Sequence, residues 1–183
     1  MCYRFVFLEL LARKINFFYI GLSKYRKNVI SKELKIVNVS SKDKVLFIGC
    51  GLLPSTPMII AEEKVAGKIT TIDRSRKTVK MAESYVSKKG LSDKIKIEYG
   101  DGASYPVENF DIIFLAGDVW PLEPILKNLS SNMKKNAKLI CREIKNDISL
   151  FLKQEELYDK LSLESSFEHP AGSDYKSILL IKR

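Results

Sequence analysis

A chain of 183 residues, 45% hydrophobic and 29% charged, is long enough for one domain with a substantial core. That composition excludes a low-complexity chain, and no internal repeat is visible. The formal charge of +9 sits near the N terminus: residues 1–44 hold ten Lys and Arg against three acids, and the rest hold 21 against 19. Such a segment attracts nucleic acid, an acidic surface or an anionic small molecule, unless it is only a lysine-rich solvated face.

The opening run, Met1 to Leu8, is mostly apolar apart from Arg4, and Glu9, Arg13 and Lys14 end it long before the ~20 residues of a membrane span. No transmembrane segment or cleavable leader is expected. Residues 2–20 and 22–37 read as two helices separated near Gly21, the second carrying an apolar stripe of Tyr25, Val29, Ile30, Leu34 and Val37. These helices can pack on the main domain or form a homo-oligomer contact. Cys2, Cys50 and Cys141 form no CxxC pair, and the chain has one histidine, so no zinc site is expected. An odd cysteine count fits a reducing cytoplasm.

From Val45 onward strand and helix alternate. Val45–Ile48 is a short apolar strand ending in Gly49-Cys50-Gly51, and a helix follows with Thr56 as its cap and Pro57 at its first position. Lys68–Ile72 is a second strand reaching Asp73. Ser75 starts a helix that Gly90 stops. Ile95–Tyr99 and Phe110–Leu115 are the third and fourth strands. A helix over about 121–131 leads to a fifth, Lys138–Cys141. A helix over roughly 149–161 precedes two strand candidates, Phe167-Glu168 and Lys176–Ile181, joined by a short turn and therefore antiparallel. The alternation calls for an α/β, doubly wound, Rossmann-like and mostly parallel sheet with an antiparallel C-terminal hairpin.

In such a sheet the ligand lies beyond the carboxyl ends of the strands, next to the first one. Gly49, Cys50 and Gly51 fall there, and Thr56 beyond the turn is taken with them as a cofactor-binding residue. Asp73, ending the second strand, can bond both hydroxyls of a ribose, and Asp101, after the third, can reach an adenine amine. The dinucleotide fingerprint fails because Pro54 occupies its third glycine position, so a phosphate-free adenosyl ligand is favoured over a nicotinamide cofactor.

Val45-Leu46-Phe47-Ile48-Gly49-Cys50-Gly51, Ile72-Asp73-Arg74-Ser75, Gly100-Asp101-Gly102 and Phe110-Asp111-Ile112-Ile113-Phe114 together resemble the class I S-adenosylmethionine-dependent methyltransferase superfamily. The resemblance implies a seven-stranded sheet with an antiparallel last strand. It also implies that Gly49 and Gly51 pass under the methionine part, Asp73 takes the ribose and Arg74 flanks adenine. Asp101 and Gly102 would hold the adenine edge, and Ala116 and Gly117 would line the transfer centre. Phe47 stands where most of these enzymes carry an acid for the charged end of the cofactor. The run Gly49-Cys50-Gly51-Leu52-Leu53-Pro54-Ser55-Thr56 is similar to the glycine turn of the nicotianamine synthase family, which moves the aminobutyrate arm of the cofactor. By that resemblance Tyr25 matches a tyrosine of the reaction chamber, although the family has a sizeable helical domain in front where this chain has about 40 residues.

These features give a helical extension over 1–43 and an S-adenosylmethionine-binding domain over 44–183. The expected function is transfer from S-adenosylmethionine to a small molecule, as a methyltransferase. The alternatives are aminobutyrate transfer and a non-catalytic cofactor-binding or partner-docking module. Asp118, in the loop after strand four, is the candidate general base, and Tyr25 the candidate for orienting an acceptor. Trp120 can stack on a planar substrate. His169 is expected to be a structural residue beside the last hairpin, away from the site. An RNA substrate has only the basic N terminus in its favour.

Overall fold

The computed structural model describes residues 16–63, 66–144, 148, 159–169 and 175–183, with side chains from residue 27 onward except that of Ile144. The elements run α1 (Asn16–Val37), β1 (Lys44–Ile48), α2 (Ser55–Glu62), β2 (Lys68–Asp73), α3 (Arg76–Lys88), β3 (Ile95–Tyr99), β4 (Ile112–Leu115), α4 (Leu122–Asn132), β5 (Lys138–Ile144), β6 (Leu161–Glu168) and β7 (Tyr175–Lys182). The seven strands form one sheet in the order β3-β2-β1-β4-β5-β7-β6. The first five are parallel, and β7 lies antiparallel between β5 and β6. This is the doubly wound, mostly parallel architecture read from the alternation.

Beyond the exposed Lys44, the central strands β1 and β4 are apolar because helices cover both faces. Alternation sends Val45 and Phe47 to one face and Leu46 and Ile48 to the other. The first face packs with Ile30, Leu34 and Val37 of α1, Met58 and Ile60 of α2, and Val79, Ala82 and Val86 of α3. The second packs against Ile125, Leu126 and Leu129 of α4, with Ile148 and Leu161. At the amino ends of the strands, the Asp111 carboxylate accepts from the Lys44 amide at 2.8 Å and pairs with Lys134, closing the edge away from the site.

Three boundaries differ from the sequence reading. α1 passes through Gly21 without a break: one glycine costs a helix about 1 kcal/mol, which the flanking helical residues outweigh. Residues 2–15, and with them most of the first expected helix, lie outside the described residues, as do 149–158 of the expected late helix. β6 begins at Leu161 rather than Phe167. It is a polar edge strand paired only with β7, so its sequence lacks the apolar run that marks an interior strand. Thr56 does not cap α2: the helix starts at Ser55, Pro54 holds the cap position with no side-chain bond, and the Thr56 hydroxyl faces β5 instead. Ser75 does cap α3, accepting from the Thr78 amide at 3.2 Å, and Gly90 takes φ +67° at the helix end.

What fixes α1 to the sheet is a buried ion pair. Arg142 of β5 donates through Nε and Nη2 to the two oxygens of Glu33, at 2.9 and 2.7 Å, and the Glu33 side chain has no exposed surface. Lys138, four residues earlier on the same face of β5, donates to the Val37 carbonyl at the end of α1. Removing one partner of such a pair strands a buried charge and costs about 3–5 kcal/mol, whereas replacing both with apolar groups costs far less. In urea titrations Arg142→Met should lose about that much stability. The Glu33→Met/Arg142→Met protein should lose much less than the two single changes added together.

Candidate functional site

β1 ends in the center of the sheet, where its neighbours β2 and β4 carry the chain to opposite sides, and the open crevice lies over their carboxyl ends. Gly49 and Gly51 turn the chain there with φ of +90° and +63°. The amides of Gly49 and Cys50 both donate to the Ile72 carbonyl, at 3.0 and 3.2 Å, which ties the turn to the end of β2. A Cβ on Gly49 would fall 2.5 Å from Val119 Cγ2 and 3.1 Å from Ala116, so the turns after β1 and β4 meet at that glycine. Cys50 is buried, its Sγ 3.3 Å from the Gly51 carbonyl and 3.9 Å from Asp73 Oδ2.

Asp73 organises the next segment. Its Oδ2 accepts from the Gly51 amide at 3.3 Å and its Oδ1 from the Ser75 amide at 2.9 Å. Burial pushes its pKa up and the charge of Asp118 adds to this, while the amides of Ser75 and Gly51 and the charge of Arg74 oppose them. The net shift is upward. Each carboxylate oxygen retains acceptor capacity beyond these bonds. Arg74 is exposed beside it.

Asp101 lies just past β3, exposed, with Oδ1 accepting from the Ala103 amide at 2.9 Å. Gly102 is packed beneath: a Cβ there would come within 2.8 Å of Ile48 Cγ2. Its carbonyl accepts from Asn128 at 2.8 Å. Ala116 donates to the Ile48 carbonyl at 3.0 Å, and Gly117 presses on the far neighbour, since its Cβ would lie 2.9 Å from the Arg142 carbonyl and 3.1 Å from Tyr175. Asp118 and Trp120 are exposed on the same loop. Thus Gly49, Cys50, Gly51, Asp73, Arg74, Ala116, Gly117 and Asp118 come together at one crevice, with Asp101 and Gly102 at its β3 end. The side chain of Tyr25 lies outside the described residues.

A second group, not foreseen as a unit, adjoins the crevice. Phe47 is buried and stacks on Phe114 with ring centroids 4.8 Å apart, and the Arg142 guanidinium sits 5.7 Å above the Phe47 ring. Arg142 also donates through Nη1 to Thr56 Oγ1 at 3.0 Å. On the other side Ser177 donates to Glu33 Oε1 at 2.6 Å, and His169 Nε2 is 2.8 Å from the Ser177 oxygen. With the only hydroxyl proton of Ser177 given to Glu33, His169 must carry a proton on Nε2. Burial raises the Glu33 pKa, but the charge and hydrogen bonds of Arg142, the bond from Ser177 and the His169 ring together bring it below the ordinary glutamate value. Burial holds His169 below its usual range. His169 is therefore the outer end of a polar chain that reaches α1 and α2. The signal for it was present: Glu33 interrupts the apolar stripe of α1 four residues after Val29, and Arg142 follows an apolar strand. Charges at core positions need partners.

Among the described residues no group of three or more His, Cys, Asp or Glu is placed to hold a metal ion, and no helix is long and apolar enough to cross a membrane.

The fold is that of the Rossmann-like S-adenosylmethionine-dependent methyltransferases. Residues 14–183 match the family described as Nicotianamine synthase protein, and the chain belongs to that family. A crystal structure of MtNAS in complex with MTA and tNA superposes with a TM-score of 0.75 at 15% identity, covering 91% of this chain and 62% of that one. A mutant of MtNAS in complex with S-adenosylmethionine gives 0.73 at 14% identity, covering 87% and 62%. The chain is 27% identical over 115 residues to the Probable cobalt-precorrin-6B C(15)-methyltransferase (decarboxylating) of Methanobrevibacter smithii, covering 61% of this chain and 59% of that protein. It thus spans about three-fifths of the length of each of these relatives.

The close packing at Gly49 predicts a contrast between two glycines with positive φ. Gly49→Ala must displace Val119 as well as strain the backbone, and should lower stability by about 2–4 kcal/mol. Gly90→Ala has nothing within 4 Å of the new methyl and should lose only the backbone term, about 1–2 kcal/mol, in the same urea titration.

Proposed function

We propose that this chain is an S-adenosylmethionine-dependent transferase that moves the aminobutyrate arm of the cofactor to a small-molecule acceptor. The observation that carries the reading is the Gly49–Gly51 turn held by Asp73, with Phe47 and Arg142 where a methyltransferase commonly offers an acid. Family membership and the ligands named for the MtNAS structures support it. In this reading the ligand follows the strand order, with adenine against Asp101 and Gly102 at β3, ribose on Asp73 at β2, and the amino-acid arm across β1 toward Ala116 and Gly117. Positive φ at Gly49 and Gly51 turns the chain at the ligand, and an ionised Asp73 accepts both ribose hydroxyls while still holding the Gly51 and Ser75 amides.

When bound, the cofactor supplies a sulfonium whose neighbouring carbons are open to in-line displacement by a nucleophile. In this reading the crevice residues hold it in line, and Asp118, exposed on the loop after β4, takes the proton that an amine acceptor loses. Tyr25 of α1 is assigned the orientation of that acceptor. A second reading, methyl transfer, is favoured by the methyltransferase named among the relatives. The two differ in product: attack on the arm carbon leaves methylthioadenosine, and attack on the methyl leaves S-adenosylhomocysteine. Chromatography of the nucleoside formed with candidate amine acceptors should show methylthioadenosine; S-adenosylhomocysteine would establish the second reading instead.

Calorimetric titration checks the site itself. Asp73→Ala should weaken S-adenosylmethionine binding about 10–100-fold through loss of two charge-assisted hydrogen bonds. In the wild-type protein, protonating Asp73 removes acceptors from the ribose. Because its pKa is raised above 3.8, affinity should begin to fall at a higher pH than an ordinary aspartate would give. Asp73→Asn should flatten that pH dependence.

A further inference from the structure

We propose that Glu33 is a positioning residue for the amino-acid-arm half of the cofactor groove: by clamping Arg142 it fixes Thr56 and Phe47 beside the Gly49–Gly51 turn. The proposal rests on the transferase reading above and adds to it a control of one half of the ligand.

Three observations lead to it. First, the network lies at the arm end of the groove. Arg142 follows Cys141, the register partner of Leu115, so its backbone stands level with Ala116, and its carbonyl packs against Gly117. The groove runs from Asp101 past Asp73 to Ala116 and Gly117, so Arg142 is at the end opposite the adenine. Second, the guanidinium is oriented in three directions. Glu33 takes the Nε–Nη2 edge as a two-oxygen fork, Thr56 accepts from Nη1, and the Phe47 ring lies beneath. Thr56 is in the first turn of α2, directly after the glycine turn, and Phe47 is two residues before Gly49. Arg142 thus holds the glycine turn from both of its flanks. A planar fork does this where a lysine, a point charge on a flexible stem, does not.

Third, the clamp is itself supported. Glu33 accepts a third hydrogen bond from Ser177 of β7, and His169 donates to Ser177 in turn. A buried ion pair is a weak source of net stability compared with apolar residues of the same volume. A pair that is fully hydrogen-bonded on the carboxylate side and aimed at the flanks of a ligand-binding turn is suited to holding geometry. Its net charge is zero. At this end of the groove, the negative charge that most methyltransferases place at position 47 is thus replaced by a neutral, oriented pair on an apolar floor.

The consequence is selectivity within one ligand. Loosening the clamp should disturb the arm and leave the adenosine half, which is held by Asp73 on β2, in place. Titration of the 183-residue chain with S-adenosylmethionine and, separately, with methylthioadenosine, which lacks the arm, separates the two halves. Glu33→Gln keeps the shape but loses the charge-assisted fork. It should weaken S-adenosylmethionine about tenfold or more and methylthioadenosine by less than about twofold. Arg142→Lys keeps the positive charge without the fork and should do the same. Ser177→Ala, which removes one supporting bond and leaves the ion pair, should give the same selective loss at about three- to fivefold. It serves if Glu33→Gln shows no cooperative melting. Equal weakening of both ligands in a folded variant, or of neither, overturns the positioning role. Failure of the wild-type protein to bind either ligand overturns the transferase reading beneath it.

Discussion

The Glu33–Arg142 pair is the contact that joins the parts of this molecule to one another. A helix that precedes the sheet, the helix that follows the glycine turn, and the antiparallel strand β7 all meet on one guanidinium and one carboxylate. Without it, α1 would be held to the sheet by the apolar contacts of Ile30, Leu34 and Val37 and by Lys138 on its last carbonyl. Such contacts fix a distance, but they fix orientation poorly. The carboxylate adds direction, because a two-oxygen fork accepts a guanidinium in one plane.

Next to this clamp the sheet builds the crevice by simple means. Parallel strands diverge at β1, and the loops that leave β1 and β4 need glycines or short side chains to pass each other. Gly49 is the narrowest point, pressed by Val119 and Ala116, and Gly102 is a second, under Ile48. Asp73 then serves the turn before any ligand arrives: it holds the amides of Gly51 and Ser75. Its partial burial beside Asp118 raises the cost of its charge, and donors brought by a ribose would lower that cost. The same carboxylate therefore links local folding to the proposed recognition.

Much of this was legible in the residues. The strand–helix alternation from Val45 to Cys141 gave the doubly wound sheet, because an apolar strand of four or five residues followed by a glycine turn has few other uses. The turn, Asp73 and Asp101 marked the crevice for the same reason. The clamp was not legible as a unit. Glu33 and Arg142 are 109 residues apart, and only the register of β5 against β4 and β7 brings them together. In the sequence His169 reads as a local hairpin residue because its neighbour Pro170 signals a turn; its link to α1 runs through Ser177 across the strand pairing. Thr56 looked like a helix cap because the residue type is common there, and the actual partner, Arg142, lies 86 residues away. Local chemistry can be read along the chain; partners that depend on strand order cannot.

The decisive measurement is a crystal structure of the protein with S-adenosylmethionine bound. Adenine is expected beside Asp101 and Gly102, and the ribose hydroxyls within hydrogen-bonding distance of the Asp73 carboxylate. The amino-acid arm should lie over Gly49–Gly51, toward Gly117 and the Arg142 end of the groove. A ligand bound elsewhere, or one whose ribose makes no contact with Asp73, would contradict it.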